Sequence, residues 1–288
     1  MTTVTADKWV VGYRSQREWA WLISVAFFLG GVGAGLFIIS TFLGFPVGAA
    51  VGLAIVAVGK GAAHLLYLGH PERFWRALTR PQTSWISRGL ILVVVFVAFG
   101  TLSLLVGDSL TGRVLAGIAV AAALGVAVYS GFVLAYSPAI SFWNTALLPL
   151  LFLLYAFTGG IALTFVLYPW HNDSVAKASK SLETAEVGLV AVALLFVVVY
   201  LATMLYGALP SRQAVRNLLT GRLAALFLWG VVSAGLLVPL VIATAVRFGD
   251  LGVGTGAWML AVSGLLELSG GLLFRYCLLK GGVFFPLI

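Results

Sequence analysis

The sequence predicts an all-α integral membrane protein in which eight transmembrane helices pack as two four-helix bundles. Hydrophobic residues make up 61% of the 288 positions, charged residues only 9%, and the mean hydropathy is +1.10. A soluble domain carries roughly a quarter charged residues, so this chain has too few polar side chains to cover a water-exposed surface. In addition, eight apolar stretches reach the roughly 20 residues that a helix needs to cross a bilayer.

The apolar stretches follow one another at short intervals, with ends set by the first polar or turn-forming residues. They are predicted at 19–43, 46–68, 88–107, 114–136, 145–169, 185–207, 222–247 and 254–277. No long polar segment separates them, which favours one transmembrane domain over 19–288 preceded by a polar segment at 1–18. The alternating ten-residue strands of an outer-membrane barrel are absent from the pattern.

Glycines concentrate in two of these spans. The first span holds Gly30, Gly31, Gly33 and Gly35, and the fifth holds Gly159 and Gly160. Small residues at a helix interface let backbones approach closely in lipid, where packing replaces the hydrophobic effect between helices. The pattern therefore predicts tight helix contacts.

The basic residues are distributed unequally between the two ends of the predicted bundle. The net charge is +8, but so few charges indicate lipid head groups or an acidic partner rather than nucleic acid. An even number of spans puts both termini on one side, and twelve basic residues fall there: Lys8, Arg14, Arg17, Arg73, Arg76, Arg80, Arg88, Arg212, Arg216, Arg222, Arg275 and Lys280. Only four fall on the other: Arg113, Lys177, Lys180 and Arg247. The positive-inside rule then predicts an inner-membrane protein with cytoplasmic termini. Alternatively, the arginines bind a soluble subunit.

Ligands for a redox metal are scarce. Cys277 is the single cysteine, so the chain has no thiolate set for an iron–sulfur cluster or for zinc. A haem between helices usually needs two histidines within spans, whereas His70 and His171 fall in loops and His64 alone falls in a span. We therefore expect no haem and no metal bound by this chain.

A basic, aromatic loop, LGHPERFWRALTRPQTSWISRG at 68–89, separates the second and third spans. Pro71 and Pro81 restrict the backbone and bracket a predicted helical turn through 72–78. Trp75 is typical of membrane interfaces, and arginine forks suit carboxylates, phosphates or backbone carbonyls. Chemistry alone leaves two interpretations open: a surface loop bound to membrane lipid, or a docking site for a protein partner.

Three separated segments resemble those of the NrfD/PsrC family, the membrane subunits of polysulfide-reductase-type complexes. They are the loop at 68–89, YSGFVLAY at 129–136 followed by FWNTALLPLLF at 142–152, and FRYCLLKGG at 274–282. The resemblance implies an eight-helix subunit that reacts with menaquinone or ubiquinone and holds no redox metal. It also implies two partners, a ferredoxin-like [4Fe–4S] subunit and a molybdenum- or tungsten-type bis-pterin catalytic subunit.

The resemblance also assigns expected roles to particular residues. The basic loop would dock the iron–sulfur subunit through Arg73, Trp75, Arg76, Arg80 and Arg88. The tyrosine of the Y-x-G-F motif lies at the quinone in the family, which here is Tyr129. The family pattern differs in the first span, where some members place an asparagine and a histidine near the quinone, while WAWLISVAFFLGGVGAG at 19–35 has neither. His64 would then bind the quinone carbonyl, or the pocket is built differently.

Ionisable groups inside spans are costly and are candidates for function. Lys60, His64 and Tyr67 share one helix face at i, i+4 and i+7. Counted from the loop-side ends of their spans, Lys60 and Glu267 lie about 12 Å deep and Tyr129 about 10 Å deep. We therefore expect these groups to lie at similar depth. We predict quinone binding by His64, Tyr129 and Lys60, with Trp21 and Asn144 as further candidates, and a proton relay of Lys60, His64 and Glu267. Each has a structural alternative: Lys60 could pair with Glu267, His64 could bond a backbone carbonyl, and Tyr129 could be packing.

Two other functions are compatible with the same residues. A secondary transporter or proton-conducting subunit could use Lys60, His64 and Glu267 as a relay, and Pro239 hints at one broken helix. A pure membrane anchor would use the polar residues only to brace the bundle. The chain has no glycine-rich phosphate loop and no nucleophile with a paired base, so chemistry on a soluble substrate is expected on another subunit.

Overall fold

The prediction of an all-α membrane protein is confirmed in a computed structural model, which describes residues 14–167, 173–249 and 253–284. Eight helices are long and apolar enough to cross a membrane. They are α1 (Trp21–Leu43), α2 (Pro46–Tyr67), α3 (Trp85–Val106), α4 (Leu110–Ala135), α5 (Leu147–Leu167), α6 (Asp173–Leu205), α7 (Leu226–Phe248) and α8 (Val253–Lys280). Lys8, His171, the side chain of Lys177 and most of the segment 1–18 lie outside the described residues.

Two of the spanning helices change their winding along their length. In α2, α-helical turns at Pro46–Ala54 and Gly61–Tyr67 flank a π-helical segment, Ile55–Lys60. In α7, a π-helical segment covers Leu226–Leu237 and an α-helix covers Val238–Phe248. π-Helical turns are frequent at functional sites, and the one in α2 ends at Lys60.

The smaller elements lie at the end of the bundle that bears the basic loop. The strands β1 (Arg14–Ser15) and β2 (Val283–Phe284) pair antiparallel, so the first and last described residues lie on the same side. The predicted turn in the basic loop is a 3₁₀ helix, Pro71–Leu78. The sequence did not predict a further surface helix, Leu209–Leu219, which is too short to span a membrane and buries one face through Ala214, Val215 and Leu218.

The spans differ from their predicted bounds mainly at charged residues. Helix α6 begins at Asp173 rather than at 185, and α8 continues to Lys280 rather than ending at 277. Hydropathy placed the span boundaries next to charged residues, but the structure buries two of these residues, Glu186 in α6 and Arg275 in α8. Arg275 is therefore an interior group, so ten of the eleven described basic residues that the sequence assigned to this side lie outside the buried interior.

Helix α1 lies at the centre of the packing. It contacts α2 and α4 on one side and α5 and α8 on the other. Contacts also run between α3 and α4, between α5 and α6, and along the series α6, α7 and α8. Because α1 and α4 both pack directly on α5, the division into two four-helix bundles stays a prediction.

Glycines permit the closest of these approaches. A Cβ at Gly33 of α1 would lie 2.7 Å from the carbonyl oxygen of Gly52 in α2. A Cβ at Gly35 would overlap the carbonyl of Ala156 in α5, and one at Gly160 would lie 2.5 Å from the backbone carbon of Gly35. The glycine pattern of the first and fifth spans thus brings helix backbones into contact, as small residues do in membranes.

We predict that Gly35→Ala destabilises the protein, because the added methyl group must separate α1 from α5. Overpacking of this kind typically costs about 1–3 kcal/mol. The matched control is Gly117→Ala in α4, where nothing lies within 4 Å of the new Cβ. Thermal unfolding of both variants in detergent measures the difference, and equal unfolding temperatures would show that α1 and α5 do not require this close contact.

Candidate functional site

The candidate site is built around the side chain of Lys60, which is 3% exposed. Its Nζ donates a hydrogen bond to the carbonyl oxygen of Ala26 in α1 at 3.3 Å. Gly30, one turn further along α1, makes room for the amine, since a Cβ there would lie 3.0 Å from Nζ. Among the described residues, no carboxylate forms an ion pair with Lys60.

An aromatic face replaces a carboxylate as the neighbour of this amine. The Lys60 Nζ lies 4.8 Å from the ring centre of Tyr129 in α4 and 6.0 Å from that of Phe27 in α1. A desolvated cation–π contact can stabilise by about 2 kcal/mol or more. Tyr129 is 5% exposed and fits against α3 because Gly89 has no side chain there; a Cβ would overlap the ring. The structure thus brings two of the predicted residues, Lys60 and Tyr129, into contact.

His64 lies one turn beyond Lys60 on α2 and is half-buried. Its Nδ1 lies 3.1 Å from the carbonyl oxygen of Lys60. Because a carbonyl only accepts, Nδ1 donates, and in the neutral ring Nε2 is left as an acceptor. The structural alternative of a histidine bonded to the backbone therefore holds for Nδ1, while the described residues show no hydrogen bond to Nε2. Tyr67, the third residue of this face, is exposed at the end of α2.

A cleft of about 600 Å³ lies between the basic loop and the start of α3. It is lined by Trp75, Arg76, Ala77, Thr79, Arg80, Ser84, Ile86 and Ser87. Trp85 is fixed there by stacking on Phe132 of α4, with ring centres 4.3 Å apart. Lys60, His64 and Tyr129 are not among the residues that line this cleft.

The five residues predicted to dock a partner fall into two groups. Arg88 is engaged within its own loop: Nε donates to the Pro81 carbonyl and Nη2 to the Gln82 carbonyl, both at 2.7 Å, and its guanidinium lies 4.5 Å from the Trp85 ring. Arg73, Trp75, Arg76 and Arg80 are exposed. The 3₁₀ helix Pro71–Leu78 buries none of its residues, so it presents arginines and aromatic rings together.

Trp21 and Asn144 make their observed contacts elsewhere. The Trp21 ring meets the edge of Tyr276 in α8, with centres 5.8 Å apart. The Asn144 Nδ2 donates to the Ala135 carbonyl at 2.6 Å and so caps the end of α4. Neither contact involves Lys60, His64 or Tyr129.

Glu267 does not lie at the predicted depth. Because α8 continues to Lys280, Glu267 lies about 20 Å from the loop-side end of its helix, whereas Lys60 lies about 10 Å from the end of α2. Its carboxyl group faces Glu186 in α6 and the hydroxyl of Thr158 in α5. The expected alignment with Lys60 was therefore wrong, and the alternative of a Lys60–Glu267 ion pair is not observed in the described part of the chain.

Sequence reasoning missed the two other charged groups of this interior. Glu186 was placed at the membrane boundary of the sixth span, and Arg275 among the surface arginines. Both are about 1% exposed. For Arg275, a usable signal was its spacing from Glu267, because these two residues are eight apart on α8 and share a face. No group of three or more histidine, cysteine, aspartate or glutamate side chains suited to a metal occurs among the described residues.

Comparison with known proteins shows which family this sequence matches. The family model for polysulphide reductase, NrfD, matches residues 9–286. The chain belongs to the NrfD family. The match spans all eight helices together with the basic loop, so the resemblance of the three segments is confirmed.

Two curated proteins are similar to this NrfD-family protein. One is a polysulfide reductase polypeptide from Wolinella succinogenes, which is 25% identical over an alignment that covers 92% of this sequence and 94% of the relative. The other is a sulfite dehydrogenase polypeptide from Allochromatium vinosum, which is 41% identical over 54 residues that cover 19% of this sequence and 16% of that protein. The first similarity extends over most of both proteins, and the second is local.

Proposed function

We propose that this chain is the membrane subunit of an oxidoreductase complex and exchanges electrons between an iron–sulfur subunit and the membrane quinone pool. One observation carries the proposal: a buried lysine amine, a tyrosine and a half-buried histidine gather close to an exposed segment of arginines and aromatic rings. The relatives support it, since one is a component of a polysulfide reductase and the other a component of a sulfite dehydrogenase.

The three side chains offer what a quinone ring requires. A quinone carbonyl accepts hydrogen bonds, and Lys60 has ammonium protons beyond the one given to Ala26. The Tyr129 hydroxyl is a second donor, on the ring that the amine faces. Reduction of a quinone to a hydroquinone adds two electrons and two protons, and oxidation returns them. The free Nε2 of His64 can accept a proton from a hydroquinone hydroxyl, or donate one when the ring is protonated.

The surroundings suit an aromatic head group and its isoprenoid tail. Phe27 on α1 and the ring of Tyr129 on α4 provide apolar faces beside the amine. Menaquinone and ubiquinone both fit this chemistry.

The exposed segment would bind the electron donor or acceptor. We propose that Arg73, Trp75, Arg76 and Arg80 dock a ferredoxin-like [4Fe–4S] subunit, which in turn contacts a molybdenum- or tungsten-type catalytic subunit. Arg88 would keep the loop in shape by binding its carbonyls. The basic residues around the paired termini favour a cytoplasmic position for this side of an inner-membrane protein, with lipid phosphates around the rim.

We predict that His64→Ala and Tyr129→Phe each lower the rate of quinol-analogue oxidation or quinone reduction by the purified complex. Loss of a positioned proton acceptor or donor typically costs about 10²–10⁴-fold in rate. Tyr206→Phe is the matched control, because Tyr206 is 88% exposed just beyond α6. Turnover that is unchanged in both variants, with normal assembly, would remove these residues from the proposed site.

We predict that the double variant Trp75→Ala/Arg76→Glu abolishes co-purification of the iron–sulfur subunit in mild detergent. The change removes an aromatic anchor and reverses a charge on the exposed 3₁₀ helix, where neither side chain is buried. Arg113→Glu, an exposed charge reversal at the start of α4, is the control. Equal recovery of the partner with both variants would place the docking surface elsewhere.

A further inference from the structure

A second polar interior lies among α5, α6 and α8, apart from the Lys60 site. Seven of its side-chain atoms are fully buried without a hydrogen-bond partner among the described residues. They are Tyr155 Oη, Thr158 Oγ1, Glu186 Oε2, both carboxyl oxygens of Glu267, and Arg275 Nε and Nη2. Native proteins leave few buried polar atoms unpaired, and where such atoms gather they usually serve a ligand, water or catalysis. The quinone chemistry above uses none of these groups.

The two carboxyl groups carry the main constraint. Glu186 is 1% exposed and Glu267 is 2% exposed, and their side chains face one another from α6 and α8. Two ionised carboxylates side by side in an apolar interior would face both the loss of water and mutual repulsion. The pair therefore holds at least one proton.

The charge of Arg275 determines how many protons the pair holds. Arg275 is 1% exposed; its Nη1 donates to the Gly271 carbonyl at 2.8 Å, and its guanidinium lies 5.2–5.7 Å from the rings of Phe28, Phe152 and Tyr155. Among the described residues, it forms no ion pair with a carboxylate. A carboxyl pair with one proton carries a single negative charge and neutralises the interior. A second proton on the carboxyl pair would leave the pair and Arg275 together with a net positive charge, which favours release of that proton.

These groups follow one another across the membrane. Counted from the loop-side end of its helix, Arg275 lies about 8 Å deep, Tyr155 about 12 Å, Thr158 about 17 Å and Glu267 about 20 Å. The Arg275 guanidinium lies 5.6 Å from the Tyr155 ring, and Thr158 faces Glu267. The series therefore extends about 20 Å from the loop-side end of the bundle, to about the middle of α8.

From the middle, the series continues to the opposite membrane face. Glu186 lies about 10 Å along α6 from Ser179, where the apolar, membrane-spanning part of that helix begins. One turn closer to that end is Glu183, which is half-buried and lies near Lys180 and Arg247. The Arg247 Nε donates to the Thr184 hydroxyl at 2.7 Å, so charged groups of α6 and α7 meet at this face.

Arg275, the member of the series nearest the basic loop, approaches the candidate quinone site from the other side of α1. A Cβ at Gly31 would lie 2.9 Å from Arg275 Nη2, while one at the adjacent Gly30 would lie 3.0 Å from Lys60 Nζ. The two buried cations thus flank one turn of α1. This turn separates the two polar interiors.

We propose that Glu186 and Glu267 form a proton-binding pair, that Tyr155 and Thr158 connect it toward α1, where Arg275 supplies the balancing positive charge, and that Glu183 connects it to the face opposite the basic loop. The ligand is a proton, passed between hydroxyl and carboxyl oxygens and water. The proton-binding pair stands on its own geometry, and its coupling to hydroquinone protons rests on the proposed function.

Infrared difference spectroscopy of the purified full chain in H₂O and D₂O tests the pair without any quinone. We expect a protonated-carboxyl stretch at neutral pH that shifts on deuteration and disappears in the double variant Glu186→Gln/Glu267→Gln. Glutamine keeps the side-chain volume, and Glu267→Asp keeps a carboxyl group, so this single variant should retain the band. Glu72→Gln, in the exposed loop, and Tyr129→Phe should leave it unchanged. Absence of the band in the wild type, or its survival in the double variant, would overturn the proposal.

The same variants in the purified complex test the coupling. We expect Glu267→Gln to slow quinol turnover by about tenfold or more while a quinone analogue still binds, because proton transfer rather than binding is impaired. Full turnover in Glu267→Gln would contradict the coupling. Full turnover in Tyr129→Phe, with the carboxyl band intact, would instead contradict the proposed quinone site and leave the proton-binding pair standing.

Discussion

The burial of the Lys60 amine inside a membrane domain is the constraint around which the first four helices are arranged. An isolated ammonium group in an apolar medium is strongly unfavourable, so it requires compensation from nearby groups. Here the compensation is a backbone carbonyl at Ala26 and the face of Tyr129. Two glycines, Gly30 and Gly89, provide the space that this arrangement occupies. A side chain at either glycine would displace the amine or the ring.

Helix α1 links this site to the rest of the molecule. Its glycine-rich turn contacts Lys60 on one side and Arg275 on the other, and its next turns pack directly on α2 and α5. The protein thus holds two buried cations without carboxylate ion pairs among its described residues, each placed against aromatic rings. On the proposed function, the first serves a quinone and the second balances a carboxyl pair, with α1 as their common wall.

Hydropathy predicted the eight spans because long apolar runs leave no alternative to a membrane helix. The same reasoning failed where charges lie inside the bundle. It treated Glu186 and Arg275 as boundary residues, and it therefore shortened α6 and placed Glu267 too near the surface. The helical spacing of Lys60 and His64 correctly put them on successive turns, but no single-sequence pattern indicates that Tyr129 meets Lys60 from another helix. That contact depends on tertiary packing through Gly89. Likewise, the composition of the basic loop could not reveal that Arg88 binds its own loop carbonyls.

Photoaffinity labelling with an azido-quinone, followed by peptide mapping of the intact complex, tests most directly whether Lys60, His64 and Tyr129 line a quinone site. The account predicts labelling that excess unlabelled quinone suppresses and that falls on the segments 60–67 and 129–136. Suppressible labelling confined to α5–α8, with none on α2 or α4, would contradict it.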